Sequence, residues 1–130
     1  MRKEEVESLK KTIIDIHKFI IYNYGGEQGI RDEGGLYYFT YRLISHLYKT
    51  KDPFEIGAFV LKDLAQNHYF IDGNKRIAYM TTIFILYIKG HFLGLKYKDV
   101  VNFITQIADA KIRLYKIKKW LEEEAKIIKR

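Results

Sequence analysis

The sequence predicts an all-α protein, a compact bundle of about six helices around one central apolar helix. Apolar residues recur every three or four positions along most of the 130-residue chain, which is the pattern of amphipathic helices. One segment, residues 77–88, is apolar apart from two threonines. About a dozen residues are too few to span a bilayer, so we expect a buried helix at the centre of the bundle. No strand pattern is found beyond a possible short hairpin.

The first predicted helix covers residues 4–23 and ends at a pair of glycines, Gly25 and Gly26. Its apolar residues recur at helical spacing, with glutamates and lysines between them: Val6, Leu9, Ile13, Ile16 and Ile20. His17 lies on the same side as two of these residues. We interpret it as a hydrogen-bonded, partly buried histidine rather than a catalytic one, because no phosphate-binding companion lies near it in the sequence.

A glycine-rich loop and a tyrosine-rich helix follow. Residues 25–35 contain five of the nine glycines together with the charged residues Arg31, Asp32 and Glu33, a composition typical of loops. The simplest interpretation is a surface connection in which Asp32 caps the next turn. A second helix is predicted over residues 36–48. Most of its tyrosines are expected to pack against the core: Tyr37, Tyr41 and Tyr48.

The third helix has the clearest start in the sequence. Asp52 is expected to be its N-cap, with Pro53 at the first helical position and Glu55 completing a capping box. The helix is expected to run to residue 66. It therefore brings the chain to His68 at the end of a rigid element, where a functional side chain is held firmly.

Three more helices complete the predicted bundle. The fourth, residues 74–89, is apolar nearly all round, as expected of a central helix, and Gly90 ends it. The fifth covers residues 97–108 and the sixth residues 111–128. We interpret the basic residues of the sixth helix as a solvated face rather than a nucleic-acid surface. Trp120 is interpreted as a core anchor rather than a base-stacking platform.

Length and composition limit the class of protein. A chain of 130 residues is expected to form a single domain, residues 1–130, with one core. The absence of cysteine excludes disulfides and thiol catalysis. The charged beginning of the chain does not resemble a secretory signal, so we expect a cytoplasmic location and no membrane association. A net charge of +7 indicates an acidic partner such as a nucleotide, a nucleic acid or an acidic peptide segment.

Residues 68–76 carry the chemistry that the rest of the chain does not. His68 can take a proton from a hydroxyl group at neutral pH, which makes it a candidate general base. Asp72 offers the oxygen ligand that Mg²⁺ prefers when it bridges a carboxylate and nucleotide phosphates. Phe70, between them, is expected to anchor the loop in the core. In a purely structural alternative, His68 and Asp72 would hydrogen-bond each other and cap the following helix.

The last four residues of this stretch indicate an anion site. Gly73 permits a tight turn, and Asn74 is the predicted start of a helix whose free N–H groups point back at the loop. Lys75 and Arg76 add two cations to the first turn, where they oppose the helix dipole and so need another reason to be there. A bound phosphate group would supply that reason.

These residues resemble the motif of the Fic/Doc superfamily, written H-x-F-x-D/N-x-N-K-R in its Doc (death on curing) branch. The chain matches all six positions: His68, Phe70, Asp72, Asn74, Lys75 and Arg76. Residues 25–36 also look like the Doc-type segment G-G-x-x-G-I-R-D-x-G-x-L. One departure is Gln66, near which a basic residue in contact with phosphate is expected; Arg31 and Lys62 are the candidate substitutes.

The resemblance implies a Fic/Doc-type bundle with a flap beside the active site. The flap, residues 25–35, would position a segment of the target protein, chiefly through four residues: Gly29, Ile30, Arg31 and Asp32. His68 would be the catalytic base and Asp72 would hold Mg²⁺. The nucleotide phosphates, with ATP as substrate, would be bound by four residues: Gly73, Asn74, Lys75 and Arg76.

The branch of the family decides which part of ATP is transferred. A glycine in place of Lys75 is the pattern of Fic-type AMP transferases, whereas the lysine resembles Doc proteins, which transfer the γ-phosphate to a Ser or Thr hydroxyl. The resemblance implies a toxin that acts on translation elongation factor Tu and blocks translation. It also implies a separate antitoxin whose disordered segment folds on the toxin, since the chain lacks the inhibitory S/T-x-x-x-E-G/N pattern. Direct nucleic-acid binding is not expected.

Two alternatives stay open at this point. The first is a Fic-type AMP transferase that tolerates Lys75. The second is a non-catalytic protein, either an inactive Fic-fold member or a basic nucleic-acid-binding module.

Overall fold

The computed structural model describes residues 3–128, which form six α-helices and one two-stranded ribbon. The elements in chain order are α1 (Lys3–Tyr24), α2 (Glu33–Lys49), α3 (Pro53–Gln66), α4 (Asn74–Ile88), β1 (His91–Phe92), α5 (Tyr97–Ala108), α6 (Leu114–Glu124) and β2 (Lys126–Ile127). This confirms the all-α prediction. Within the described range, no helix combines the length and the apolar character needed to cross a membrane.

Helices α3 and α4 together form the centre of the bundle. They pack against each other, and α3 also contacts α2, α5 and α6, whereas α4 also contacts α1 and α5. The predicted central helix α4 therefore shares that position with α3, whose residues from Ile56 to Leu61 are all buried. Gly57 allows α3 to pack closely on both α4 and α6, because a Cβ there would lie 3.4 Å from Leu86 Cδ2 of α4 and 3.1 Å from Leu121 Cδ1 of α6. Burial of both helices fixes the loop between them, which carries the motif.

Helix α2 begins at Glu33 rather than at residue 36, so the glycine-rich loop is shorter than predicted. The Asp32 side chain accepts a hydrogen bond from the Gly35 N–H at 2.9 Å, which confirms Asp32 as a helix cap. Glycine is a poor helix former, but here the small residue is needed: a Cβ on Gly35 would lie 2.9 Å from a ring carbon of Tyr69. The helix therefore begins at the Asp32 cap, and Gly35 leaves room for the Tyr69 ring in its first turn.

The last helix is also shorter than predicted. Helix α6 covers Leu114–Glu124 and not residues 111–128. At its far end Ala125 is extended, and β2 pairs antiparallel with β1, with His91 opposite Ile127. The apolar spacing of residues 125–128 fits a helix, but backbone pairing with the segment after α4 decides their conformation.

The prediction that the tyrosines of α2 pack against the core is wrong for two of them. Tyr41 and Tyr48 are 47% and 66% exposed, because the buried stripe of α2 is formed by other residues: Leu36, Phe39, Thr40, Leu43 and Ile44. The interpretation of Trp120 is confirmed. Its ring packs against the core and lies 4.7 Å from the ring of Phe103.

Candidate active site

The loop between α3 and α4, residues 67–73, presents His68 to solvent. Asn67 closes α3: its backbone N–H and its side-chain Nδ2 both donate to the carbonyl oxygen of Asp63, at 3.2 and 3.0 Å. His68 follows with φ 47°, a left-handed conformation that is uncommon for a residue with a side chain. This conformation turns the chain sharply at the end of α3. The His68 side chain is exposed and accessible to a ligand.

The loop is anchored in the core by Phe70 and held in shape by Asn74. Phe70 is buried, and its ring stacks on that of His17 with centroids 3.9 Å apart. The Asn74 side chain accepts from the Phe70 N–H at 3.1 Å and donates to the Phe70 carbonyl oxygen at 2.9 Å. The side-chain amide of Asn74 is therefore occupied in holding the loop.

His17 is buried and hydrogen-bonded, as interpreted from the sequence. Its Nε2 lies 2.7 Å from the carbonyl oxygen of Asp72, so Nε2 carries the hydrogen and donates it. Burial lowers the pKa of His17 below its ordinary value, and the hydrogen bond to Asp72 offsets part of this effect. The neutral imidazole thus contacts the loop at two points, the Phe70 ring and the Asp72 carbonyl oxygen.

This lowered pKa predicts a pH dependence of stability. In the unfolded chain His17 takes up a proton near its ordinary pKa of 6.5, whereas the folded protein takes it up only at lower pH. Between these two values the unfolded state binds more protons, so the free energy of unfolding falls as the pH decreases below about 6.5. Urea midpoints measured at about pH 7.5 and about pH 5.5 should show this fall.

A His17→Gln variant is the matched test, because glutamine can still donate to the Asp72 carbonyl but does not titrate. Its stability should depend less on pH than that of the wild type. Burial also lowers the pKa of His46, so a His46→Gln variant should retain the His17 contribution and lose only its own. An unchanged pH profile in His17→Gln would contradict the prediction.

The flap pairs with the motif through backbone hydrogen bonds. The N–H groups of Arg31 and Asp32 both donate to the Tyr69 carbonyl oxygen, at 2.7 and 3.0 Å, and the Ile71 N–H donates to the Gly29 carbonyl at 3.1 Å. Ile30 forms an antiparallel bridge with Phe70. Of the predicted flap residues, Gly29 and Ile30 thus contribute backbone pairing, Asp32 also caps α2, and the Arg31 side chain is exposed. The loop and the flap form one structural unit.

The first turn of α4 leaves its backbone donors open. Gly73, with φ 77°, is the N-cap and provides no side-chain cap, and the first turn contains no acidic residue. The first intrahelical bond runs from the Ile77 N–H to the Gly73 carbonyl oxygen, so the N–H groups of residues 74–76 have no carbonyl partner in the helix. Such a helix end binds anions. Any side chain at position 73 would also crowd α1, since a Cβ there would lie 3.2 Å from Ile21 Cδ1.

The side chains of Lys75 and Arg76, in the first turn of α4, both contact residues of α5. Lys75 Nζ lies 3.4 Å from Thr105 Oγ1 of α5. The Arg76 guanidinium is held between the rings of Tyr24 and Tyr97, 4.2 Å from each centroid. Within residues 3–128 neither cation forms an ion pair. Both therefore have charge available for a ligand.

Arg76 also lines a groove of about 730 Å³ between α4 and the segment that leads into α5. Apolar and aromatic side chains form most of its lining, and two lysines, Lys96 and Lys98, lie at the same groove. No described acidic residue lines it. The groove thus suits an anionic ligand with an apolar or aromatic part.

Asp72 is exposed and lies across from the flap. Its Oδ2 accepts a hydrogen bond from the Glu27 N–H at 2.7 Å. Among the described residues, no group of three or more potential metal ligands occurs, so the protein does not offer a complete cage for a metal. A Mg²⁺ ion bound through one carboxylate and substrate phosphates needs no such cage. The residues present fit that mode of binding, with Asp72 as the protein ligand.

Comparison with known proteins agrees with this geometry. The profile of the Fic/DOC family matches residues 8–86. The chain belongs to the Fic/DOC family. The match includes most of α1, the flap, α2, α3, the loop and most of α4, which carry all the residues of the motif. Fic/DOC members are typically transferases that use ATP for AMPylation or phosphorylation. A comparison with curated proteins found no significant match.

The purely structural alternative for the motif required a hydrogen bond between His68 and Asp72. Asp72 bonds to Glu27, and among the described residues His68 and Asp72 do not bond each other. Gln66, which departs from the expected pattern, joins two helices: its Nε2 donates to the Ile107 carbonyl oxygen at 2.8 Å, and its Oε1 accepts from Lys62 at 3.1 Å. Lys62 is thus engaged with Gln66 in this structure.

Sequence reasoning missed Tyr69 and Asp63. Tyr69 occupies a position that the motif leaves open, and its hydroxyl donates to Asp63 Oδ1 at 2.5 Å. Arg42 of α2 donates to the other carboxylate oxygen of Asp63 at 3.0 Å. An aspartate on the apolar face of a helix was the one available signal, because a buried carboxylate requires partners.

Proposed function

We propose that this Fic/DOC protein is a Doc-type kinase, the toxin of a toxin–antitoxin pair, and that it transfers the γ-phosphoryl group of ATP to a Ser or Thr hydroxyl of a target protein. The observation that carries the proposal is the open first turn of α4. It combines free N–H groups with two cations, Lys75 and Arg76, that form no ion pair with the described residues, directly after the loop that exposes His68. The lysine in place of glycine favours the kinase over the AMP transferase.

In the proposed reaction, His68 accepts the proton of the target hydroxyl as its oxygen forms a bond to the γ-phosphorus. The bond between that phosphorus and the β,γ-bridging oxygen breaks, and ADP leaves. Phosphoryl transfer depends mainly on positioning and on stabilisation of charge. The N–H groups of residues 74–76 and the side chains of Lys75 and Arg76 supply both. Mg²⁺, bound through Asp72, would neutralise charge on the phosphates.

The groove beside Arg76 supports a nucleotide as the ligand. A nucleoside combines an aromatic base with a polar sugar, and the groove offers apolar walls with Tyr24 and Tyr97 at its Arg76 end. Its volume of about 730 Å³ lies in the range typical of small-molecule sites. Arg76 contributes a backbone N–H to the α4 turn and a side chain to the groove, so one residue joins the proposed phosphate and nucleoside sites.

The proposed target is translation elongation factor Tu, and its modification would block translation. The proposed antitoxin is a separate protein whose disordered, acidic segment folds on the toxin. A net charge of +7 supports an acidic partner, since opposite charge speeds association and favours the correct partner. Segments of this kind lose conformational entropy when they bind, which makes their binding readily reversible.

Intact-mass spectrometry tests the reaction directly. Elongation factor Tu is incubated with the protein, Mg²⁺ and ATP, beside a sample without ATP. Addition of one phosphate group would support the kinase, and addition of an adenylate group would assign the protein to the AMP transferases. Unmodified factor Tu would exclude it as the target. The same readout on a proteome digest would then find any other modified protein, and its absence there would contradict a transferase function.

Replacing Asp72 with alanine should weaken nucleotide binding only in the presence of Mg²⁺. The variant removes the proposed metal ligand, whereas the N–H groups and cations of α4 remain. We expect ATP affinity, measured by calorimetry with Mg²⁺, to fall about 10-fold or more, and the affinity measured in EDTA to change little. An Asp109→Ala variant, which removes an exposed carboxylate at the end of α5, is the control. Equal affinity of wild type and Asp72→Ala with Mg²⁺ would contradict Asp72 as the ligand.

A further inference from the structure

Asp63, near the end of α3, is an acidic side chain in the interior that the proposed reaction does not use. It is only 9% exposed. Its carboxylate accepts from the Tyr69 hydroxyl at 2.5 Å and from Arg42 at 3.0 Å, and its carbonyl oxygen accepts both hydrogen bonds from Asn67. A buried carboxylate is costly unless it is paired, so this arrangement needs a reason.

The hydrogen bonds of Asp63 hold the residues on both sides of His68. Asn67 precedes His68 and is bound to the Asp63 carbonyl, whereas Tyr69 follows His68 and is bound to the Asp63 carboxylate. His68 itself has φ 47°. A residue remains in such a sparsely populated conformation only where its surroundings determine it. The two bonds on either side of His68 provide that constraint.

Tyr69 carries the same constraint to the flap. Its carbonyl oxygen accepts the N–H groups of Arg31 and Asp32, and its ring packs against Gly35 in the first turn of α2. The hydroxyl, which is the one polar group of the Tyr69 side chain, donates to the Asp63 carboxylate. A single tyrosine connects α3, the loop, the flap and the start of α2.

We propose that Asp63 and Tyr69 are positioning residues for His68: their hydrogen bond fixes the orientation of the base and the position of the flap. The proposal rests on the proposed function for its catalytic part, whereas its structural part stands on the contacts alone. Tyr69 occupies a motif position that the family signature leaves open. The hydrogen bond between Tyr69 and Asp63 is therefore a feature of this chain and not of the motif.

The surroundings keep this hydrogen bond in its observed form. Burial and the neighbouring Asp63 raise the pKa of Tyr69, so its hydroxyl stays protonated and continues to donate. The Arg42 guanidinium, which balances the charge of Asp63, lies over the ring of Phe59, 4.9 Å from its centroid. Tyr69 is thus held in the core, whereas the Arg42 side chain is half-buried and rests on the Phe59 ring.

The test is a Tyr69→Phe variant, which removes the hydroxyl and keeps the ring. Tyr48→Phe is the matched control, because that hydroxyl also donates to a carboxylate, Glu5 Oε2 at 2.6 Å, but between α1 and α2. In Tyr69→Phe we expect the amide hydrogens of Arg31 and Asp32 to exchange on the order of 10-fold faster, with exchange in α4 and α6 unchanged. We expect kcat to fall on the order of 10-fold, with KM for ATP unchanged.

The outcomes separate positioning from general stability. Faster flap exchange with a lower kcat supports the proposal. Unchanged exchange, or an equal increase throughout the helices, overturns it, and so does an unchanged kcat in an active protein. If the wild type transfers no group to any protein, the proposed function fails, and flap exchange alone then decides whether the hydrogen bond holds the loop and flap.

A second pair of variants covers the case in which Tyr69→Phe does not fold. The amide oxygen of Asp63→Asn can still accept the Tyr69 hydroxyl, whereas Asp63→Leu cannot accept it. We expect flap exchange and kcat of the asparagine variant to lie close to those of the wild type and those of the leucine variant to change as in Tyr69→Phe. Equal behaviour of the two variants would overturn the proposal.

Discussion

Replacing His68 with asparagine is expected to lower the rate of group transfer by about 100- to 10,000-fold, which is the usual contribution of a general base. The fold should remain intact, because the side chain is exposed. Asparagine is the preferred substitution since it tolerates the left-handed conformation that His68 adopts at φ 47°. The measurement is the rate of mass increase of the target protein, with the urea midpoint as a check on stability.

His91→Asn provides the control for this prediction. His91 lies in β1, where its Nδ1 is 3.1 Å from the Lys89 carbonyl oxygen, and it belongs to no part of the proposed site. Its variant should transfer at the wild-type rate. His68→Ala should lose activity as well, with an added cost of about 1 kcal/mol from the strained backbone. A His68→Asn protein that transfers as fast as the wild type would remove His68 from the mechanism.

The helices were predictable wherever local signals determine them. The start of α3 is the clearest case, since the Asp52 side chain accepts from the N–H groups of Phe54 and Glu55, as predicted for an N-cap. The predicted capping box is wrong: the Asp52 N–H donates to Thr50 Oγ1 and not to the Glu55 side chain. Local signals failed where distant contacts compete with them. Glycine disfavours helix, yet Gly34 and Gly35 lie in the first turn of α2, where Gly35 leaves room for the Tyr69 ring, and residues 126–127 are extended and pair with β1. Neither contact leaves a signal near the residues that it affects.

The candidate site was predictable for a related reason. Its candidate residues 68–76 are consecutive in the chain, so one loop and one helix turn bring them together without any long-range prediction. The residues that support the site are far apart in sequence: His17 and Asp72 differ by 55 positions and Arg42 and Asp63 by 21. A histidine or an aspartate on an apolar helix face indicates that a partner exists, but it does not identify the partner. The partners of His17 and Asp63 are therefore identified only by the three-dimensional structure.

Replacing Phe70 with alanine is expected to cause the largest loss of stability in the site, about 3–5 kcal/mol in the free energy of unfolding. Phe70 is 1% exposed, and its ring covers that of His17. Its removal leaves a cavity beneath the loop and takes away the contact that keeps the His17 ring under Asp72. The loss should appear as a lower urea midpoint, and transfer should fall even at temperatures where the variant is fully folded.

Leu43→Ala separates loss of the anchor from loss of core volume. Leu43 is fully buried in α2, and its truncation should cost about 2–5 kcal/mol with transfer retained in the folded protein. Phe19→Ala, at a position that is 54% exposed, should change stability by less than about 0.5 kcal/mol. If Phe70→Ala and Leu43→Ala lose equal activity, transfer depends on the overall stability of the protein, and Phe70 has no separate role in fixing the loop. If only Phe70→Ala loses activity, the aromatic residue of the motif acts by fixing the loop, because its buried ring cannot contact the substrate.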